Sequence, residues 1–191
     1  MHSKHQPTTD LEETTLNSER VYDGSFLQIY KDHVKLPDGS EGTREYIQHP
    51  GAVMVIPMLN EEYYLMEFQY RTPFHSIMVE FPAGKVEVGE DTLFTAQREL
   101  EEETGYRAKN WMFLTAFHPI VSYTSETIYV YLATDLYATQ ANPDQGEFIE
   151  TLSISHKEAM EWVKEGKIRD GKTMLGLLWL AHLGQFSCPH P

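Results

Sequence analysis

The sequence predicts a mixed α/β protein, a sandwich of strands with interspersed helices. Three observations carry that reading. Ala52 to Met58 (AVMVIPM) is a continuous apolar run, the pattern of a strand buried on both faces. Short apolar or alternating segments on either side of it are separated by turn residues, as strands are. Residues 92–104 form a helix-length stretch with Asp91 or Thr92 placed to start it and Gly105 placed to stop it. Strands followed repeatedly by helices belong to the α/β or α+β classes rather than to an all-β sandwich.

Taken in order, residues 1 to about 15 are polar and read as a loosely ordered tail. From Glu19 to His49 the pattern is β-like: Phe26, Gln28 and Tyr30 alternate with Leu27 and Ile29, and Val34 and Leu36 follow. Pro37-Asp38-Gly39-Ser40 is a hairpin turn, because proline presets φ and glycine accepts positive φ. Thr43 to Ile47 returns. Such a meander has too few strands to stand alone and must pack on the main body or on a second subunit. After the Ala52–Met58 strand, Asn60-Glu61-Glu62 turns the chain and Tyr63 to Tyr70 runs back; Ile77 to Phe81 is a short strand closed by Pro82-Ala83-Gly84. Beyond the helix, Trp111 to Phe117 and Thr127 to Ala133 read as strands and Asp135 to Gly146 as a polar loop. Phe148 to Ile154 reads as a strand, and His156 to Glu165 and Thr173 to His182 as helices. Met174 to Leu183 is apolar but too short to span a bilayer, so it is expected as a core helix.

Composition narrows the function. At 191 residues the chain suits one domain with a small appended sheet. A formal net charge of -14 argues against a nucleic-acid surface, which would show a basic patch. It leaves room for an anionic small molecule, because divalent cations would invert the local field. The lone cysteine, Cys188, excludes an intrachain disulfide framework and fits a reducing cytoplasm. The opening MHSKHQPTTD has no apolar stretch of the kind a secretory signal needs. No paired histidine spacing points to zinc, and no Gly-x-Ser-x-Gly elbow points to a covalent nucleophile.

The helix at 92–104 breaks a local rule. Glu99, Glu102 and Glu103 share one face while Glu101 points elsewhere, and no obvious basic partner stands beside them in sequence. Like charges at these spacings cost about 0.2–0.5 kcal/mol per pair, and carboxylates near a helix C-terminus oppose the macrodipole. Rule-breaking of this kind marks functional sites. Three carboxylates on one face are an oxygen-ligand set for Mg²⁺ or Mn²⁺.

The stretch GKVEVGEDTLFTAQRELEEETGY at 84–106 resembles the Nudix box, G-x5-E-x7-R-E-U-x-E-E-x-G-U with U apolar or aromatic: Gly84, Glu90, Arg98, Glu99, Leu100, Glu102, Glu103, Gly105 and Tyr106 fill every fixed position. The flanking QYR at 69–71, EFPAGKVEVGE at 80–90, Pro119, Ser125-Glu126 and EWVKEGKI at 161–168 are similar to the ADP-ribose pyrophosphatase branch of that family. Val121-Ser122-Tyr123 stands where the branch often carries Pro-Gly. The resemblance implies an α/β/α sandwich with a mixed sheet. It also implies metal-dependent hydrolysis of a nucleoside diphosphate sugar, with ADP-ribose the first candidate, to a nucleoside monophosphate and a sugar phosphate.

By the same resemblance, Glu99 and Glu103 are expected as metal ligands with Glu102 alongside and the Ala83 carbonyl contributing, for two or more Mg²⁺ ions, with Mn²⁺ able to substitute. Glu90 and Arg98 are expected to serve structure, with the arginine orienting box carboxylates. A carboxylate bound to metal is a poor proton acceptor, so the general base is expected in the loop after the box. Glu147 is the first choice and Glu150 the second. Arg71 suits a phosphate fork or a structural pair with Glu80. Glu80 is a candidate for a ribose or nucleobase contact, Glu126 for the terminal ribose or a metal water, and Phe26 and Tyr30 for stacking on a purine; core or surface roles are the alternatives for each. The implied organisation is a tail at 1–15, an N-terminal β-meander at 16–50 on the nucleotide and dimerisation side, a catalytic domain at 51–185 and a tail at 186–191. The implied assembly is a cytoplasmic homodimer acting on a small molecule, with no nucleic acid or membrane partner. Two alternatives stand beside this reading. One is a Nudix hydrolase of a dinucleotide or nucleoside triphosphate. The other is a non-catalytic nucleotide-sugar sensor, which would normally have lost box glutamates that are all present here.

Overall fold

The computed structural model describes residues 10–143 and 145–182. Of the expected tails, residues 1–9 and 186–191, with Cys188, lie outside the described residues, while Thr14 and Thr15 of the tail expected at 1–15 already belong to the first strand. The chain divides into two compact units, residues 10–49 with 120–126 and residues 50–119 with 127–182.

The first unit is a three-stranded antiparallel meander, β1 (Thr14–Asp23), β2 (Gln28–Lys35) and β3 (Glu41–Gln48), in the order β1-β2-β3. The β2–β3 turn is the one the sequence predicts. Gly39 takes φ 86°, its N–H donates to the Leu36 carbonyl at 2.9 Å, and the Asp38 carboxylate accepts the Ser40 N–H at 2.9 Å. Asp32 is buried and accepts the Ser18 hydroxyl at 2.6 Å, tying β1 to β2. Residues 120–126 are stitched to β3, with the Ile47 N–H donating to the Tyr123 carbonyl at 2.9 Å and the Ser125 N–H to the Ile47 carbonyl at 3.0 Å.

The second unit is built on β4 (Ala52–Pro57). A mixed sheet runs β7 (Ala83–Lys85), β4, β9 (Ile128–Ala138), β8 (Tyr106–Phe117); β4 and β9 are parallel and the other neighbours antiparallel. A second, antiparallel sheet runs β10 (Ile149–Ser155), β5 (Tyr63–Arg71), β6 (Ser76–Glu80). The apolar run of β4 is buried on both faces, as expected. Val53 and Val55 pack with Ala96 and Leu100 of α1 (Thr92–Thr104). Met54 and Ile56 pack on the other side with Met66, Val79, Phe81 and Ile154, under α2 (His156–Lys164) and α3 (Gly171–His182). Each such aliphatic side chain stabilises the fold by about 1.5–3 kcal/mol when removed from water. Gly176 of α3 allows close approach there, since a Cβ would stand 2.9 Å from Met54 Cε and 3.0 Å from Ile56 Cδ1. Helices on both sides of a mixed sheet match the predicted fold class. No helix among the described residues is long and apolar enough to cross a membrane.

Helix boundaries follow their caps. The Asp91 carboxylate accepts the N–H groups of Leu93 at 2.9 Å and Phe94 at 3.3 Å, and Gly105 at φ 71° donates its N–H to the Glu101 carbonyl at 2.8 Å. Helix α3 starts two residues before the position read from sequence because the Asp170 carboxylate caps it, accepting the Thr173 N–H at 3.0 Å. Two strands outrun their sequence patterns. β8 begins at Tyr106 rather than Trp111, and β9 continues to Ala138 through residues that read as a polar loop, because backbone pairing continues (Arg107 opposite Tyr137, Ala108 opposite Leu136) where side-chain patterning has stopped. Ala83–Lys85, read as a turn, pairs with β4 as the short strand β7.

Candidate active site

The box helix α1 organises its carboxylates around one arginine. The Arg98 guanidinium reaches Glu90 (Nε to Oε1 3.1 Å, Nη2 to Oε2 3.2 Å), Glu102 (2.8 Å) and Glu99 (2.9 Å). The glutamate face therefore does have a basic partner, missed by helical spacing but implied by the family resemblance: Arg98, the residue immediately before Glu99. Glu90 also accepts the Thr95 hydroxyl at 2.7 Å and the Glu87 N–H at 3.2 Å. With Arg98 beside it, the Glu90 carboxyl is pulled down to about 2. Glu101 points away, as its helical position requires, and pairs with Arg107 at 2.6 Å.

Strand β7 brings its backbone against the same helix. The Ala83 N–H donates to Glu103 Oε2 at 3.0 Å, and Glu103 is 6% exposed. Gly84 lies so close to Glu99 that a Cβ there would stand 1.9 Å from the Glu99 carboxyl carbon. No positive φ is involved at this glycine; it is needed for close approach. Burial, with Arg98 opposing and the Glu102 and Glu147 charges adding, pushes the Glu99 carboxyl up to about 7. Burial and the charges of Glu67 and Glu99 push Glu103 well above the ordinary carboxylate range.

Glu67 and Gln69 on β5 were not foreseen from sequence, whereas Arg71 and its pairing with Glu80 were. Alternate residues of a strand share a face, so Glu67, Gln69 and Arg71 project together, with Glu80 of β6 directly opposite Glu67. Arg71 forks onto Glu80 (Nε to Oε1 2.8 Å, Nη2 to Oε2 2.9 Å), and Lys172 at the start of α3 reaches Glu80 and also Asp170 at 3.0 Å. Burial works against the Glu80 anion, yet Arg71 and Lys172 hold its carboxyl below the ordinary value. Burial likewise opposes the Lys172 ammonium, while Asp170 and Glu80 keep it above its ordinary value. The Thr173 hydroxyl accepts the Phe81 N–H at 2.9 Å, fixing α3 to the end of β6. A cavity of about 380 Å³ opens beside this network, lined by Arg71, Phe74, Met78, Glu80, Arg169 and Lys172 among others. Glu67 differs from Glu80: it is fully buried and neither oxygen has a hydrogen-bond partner among the described residues. Burial and the Glu80 charge push its carboxyl up to about 8. The available signal was a glutamate inside an otherwise apolar strand (YYLMEFQY), where an unpaired charge is costly.

The donor set suits a hard divalent cation: every candidate ligand is oxygen, and buried carboxylates outnumber the cations that face them. Among the described residues no three such groups gather around one point; Glu99 and Glu102 turn to Arg98, and Glu103 to the Ala83 N–H.

Comparison with known proteins agrees with this geometry. The model of the NUDIX domain matches residues 48–175, and that of the nucleoside diphosphate sugar hydrolase N-terminal domain matches residues 13–47. The chain belongs to the Nudix family. It is 39% identical over 171 residues to a methanol dehydrogenase activator from Bacillus methanolicus, covering 88% of this chain and 92% of that protein. It is 37% identical over 172 residues to an ADP-ribose pyrophosphatase from Bacillus subtilis, covering 89% and 93% respectively. A crystal structure of an ADP compounds hydrolase shares the fold, with a TM-score of 0.83 at 22% identity over 94% of this chain and 98% of the other. Nudix hydrolases as a group require divalent cations, which fits the all-oxygen set found here.

Within this Nudix framework the second unit brings together Arg71, Glu80, Ala83, Glu99, Glu102, Glu103 and, from the exposed loop before β10, Glu147, whose charge acts on Glu67, Glu99 and Glu103. Glu150 lies on β10 opposite Phe68, on the strand parity opposite to Thr151, which pairs with Glu67. Phe26, Tyr30 and Glu126 all belong to the first unit. Phe26 stands edge-on to His49 at 5.7 Å and Glu126 approaches the same histidine at 3.9 Å, while Tyr30 stacks on Tyr46.

Proposed function

We propose that this Nudix enzyme hydrolyses the pyrophosphate bond of nucleoside diphosphate sugars, with ADP-ribose the first substrate, giving a nucleoside monophosphate and a sugar phosphate. The observation that carries the reading is the complete box, with Glu103 buried and Glu99 half-buried against β7 and balanced by too few protein cations. The match of residues 13–47 to the N-terminal domain of nucleoside diphosphate sugar hydrolases and the ADP-ribose pyrophosphatase relatives support the substrate class.

Glu99, Glu103, Glu102 and the Ala83 backbone would hold Mg²⁺, or Mn²⁺ in its place, in two or more ions. Such ions supply charge neutralisation of the pyrophosphate and activation of water for in-line displacement at phosphorus. The chain's own groups do the rest. Arg98 holds Glu90, Glu99 and Glu102 in register, so the carboxylates meet the substrate already oriented. Glu147 is unencumbered by the Arg98 cluster and takes the proton of the attacking water, with Glu150 as the second candidate. Arg71, steadied by Glu80, presents its remaining N–H groups to a phosphate, and Glu80 keeps the pocket's polar lining in place. In the first unit, Phe26, Tyr30 and Glu126 are offered to the nucleobase and ribose.

A homodimer is supported by β1, whose Leu16, Val21 and Tyr22 are 50%, 49% and 54% exposed; sedimentation showing only monomer at working concentration would remove it. A cytoplasmic setting is supported by a single cysteine in 191 residues. The deciding experiment is a panel of nucleoside diphosphate sugars, dinucleotides and nucleoside triphosphates with Mg²⁺ or Mn²⁺ and identification of products. A nucleoside monophosphate and an intact sugar phosphate are expected. Preferential turnover of a triphosphate or dinucleotide would overturn the substrate assignment.

A further inference from the structure

We infer that Glu67 of β5, outside the box, is a positioning residue of the cation site: its carboxylate accepts from the hydration shell of a cation held at Glu99 and Glu103 and strengthens that cation's binding. This rests on the cation reading above.

The argument begins with partners. Glu67 is fully buried, and both of its oxygens lack a hydrogen-bond partner among the described residues; the neighbouring unpartnered side-chain atom is Gln69 Oε1, two residues along the same strand face. These are acceptors without donors, in one row. Buried polar atoms are almost always satisfied, and orphans call for a ligand, water or ion. The protein cations nearby are committed elsewhere: Arg71 forks onto Glu80, and Lys172 is shared by Glu80 and Asp170. Glu80, directly opposite Glu67 in the β5–β6 ladder, is thereby satisfied while Glu67 is left over.

The second step is place. Helix α1 packs against β4, β7 and β10, and β10 is the other neighbour of β5, with Thr151 opposite Glu67. Glu67 is among the charges that act on Glu103 of α1, and Glu147 acts on both. The orphaned carboxylate thus lies within electrostatic reach of the box ligand Glu103 and of the candidate base Glu147. A purely structural glutamate would have a donor; this one has an anion across from it. A hydrated divalent cation supplies both missing elements, positive charge and O–H donors, and Mg²⁺ in particular keeps several waters when bound. Residues one step removed from the ligands commonly change metal affinity 10–100-fold.

The test measures binding rather than turnover. Free Mn²⁺ is followed by electron paramagnetic resonance during titration of the cation-stripped full-length chain, for the wild type and for Glu67→Gln, Glu67→Asp and Glu103→Gln. Thermal unfolding with and without Mn²⁺ checks that each variant is folded. Glu67→Gln is expected to weaken Mn²⁺ binding about tenfold, to shrink the Mn²⁺-induced rise in Tm, and to leave the cation-stripped protein at least as stable as the wild type. Glu67→Asp, which keeps the charge, is expected to recover part of the affinity. Wild-type affinity in Glu67→Gln alongside a loss in Glu103→Gln would overturn the role of Glu67 and leave the cation site standing. No Mn²⁺ binding by the wild type would overturn both. A fall in the Tm of cation-stripped Glu67→Gln with unchanged affinity would mark Glu67 as structural and overturn the inference.

Discussion

Replacing Gly84 by alanine tests the site at its tightest contact. The new Cβ would meet the Glu99 carboxyl carbon and Oε1 at 1.9 Å and Oε2 at 2.5 Å. Ordinary van der Waals contact begins at about 3.4 Å, so the Glu99 carboxylate must retreat by about 1.5 Å. The obstacle is the end of a flexible side chain, so the fold is not threatened. The displaced carboxylate gives up its 2.9 Å contact with Arg98, at a cost of about 1.5–3 kcal/mol for a charge-assisted bond. The loss of glycine freedom in the unfolded chain offsets about 0.4–1 kcal/mol of this. A net loss of roughly 1–2 kcal/mol lowers Tm by about 2–8 °C in a chain of this size. Function is expected to suffer far more, because a misplacement of about 1 Å at a reacting centre costs about 10²-fold. Steady-state hydrolysis of ADP-ribose across a Mg²⁺ titration, with a melting curve, measures both. A Gly84→Ala protein with kcat/KM within about threefold of the wild type would refute the reasoning that Glu99 must sit where the glycine admits it.

Four further outcomes are expected. Glu103→Gln should keep the fold and reduce cation-dependent turnover by at least about 10²-fold in the hydrolysis assay, since it removes a ligand charge from the reacting site. Glu147→Gln should cost about 10²–10⁴-fold in kcat if Glu147 is the proton acceptor, and Glu150→Gln much less; the reverse order in a side-by-side rate comparison would transfer the role. Lys172→Met should leave Glu80 with Arg71 alone and destabilise by about 3 kcal/mol, read as a lower midpoint in urea unfolding. In the cation-stripped protein, Glu67 (about 8) and Glu99 (about 7) have folded values raised above their unfolded ones. They therefore favour the fold fully below about pH 4.5, and that contribution, on the order of a few kcal/mol, is lost as pH rises from about 4.5 to 8. Glu90, drawn down to about 2, acts oppositely: its contribution is present above about pH 4.5 and is lost as pH falls towards 2. Urea midpoints between pH 5 and 8 should fall in the stripped protein and flatten in saturating Mg²⁺.

The fold was legible where local chemistry and burial agree. The apolar β4 run, the Pro37–Ser40 turn and the Asp91 and Gly105 ends of α1 all lie where the residues themselves demand them. The elongated β8–β9 ribbon was hidden because backbone pairing, not side-chain alternation, extends it. The site was half legible. The box residues are contiguous, so helical spacing alone gathers Glu99, Glu102 and Glu103. Glu67 and Lys172 come from β5 and α3, and only tertiary pairing brings their charges to Glu80. Arg98 was adjacent in sequence yet invisible to helical spacing, because its partners are set by where its long side chain folds; only the resemblance gave it the carboxylates.

The charges of the second unit divide into two groups with different fates. One group is closed within the protein: Arg98 with Glu90 and Glu102, and Arg71 and Lys172 with Glu80 and Asp170. These pairs lower the carboxyl values of Glu90 and Glu80, tie the box loop to α1 and hold α3 against β6. The other group is left open. Glu67 and Glu103 are buried with no cation paired to them among the described residues, the half-buried Glu99 shares Arg98 with two other carboxylates, Glu103 is repelled by both, and all three are raised rather than lowered. A fold selected for stability alone would have closed this group too, with a fourth basic side chain or with apolar replacements, either of which removes a buried like-charge cluster. Leaving it open makes sense when the balancing charge comes from outside the chain. The closed pairs then serve the open group, because they fix the backbone and the arginines around it and leave the carboxylates little freedom to relax apart.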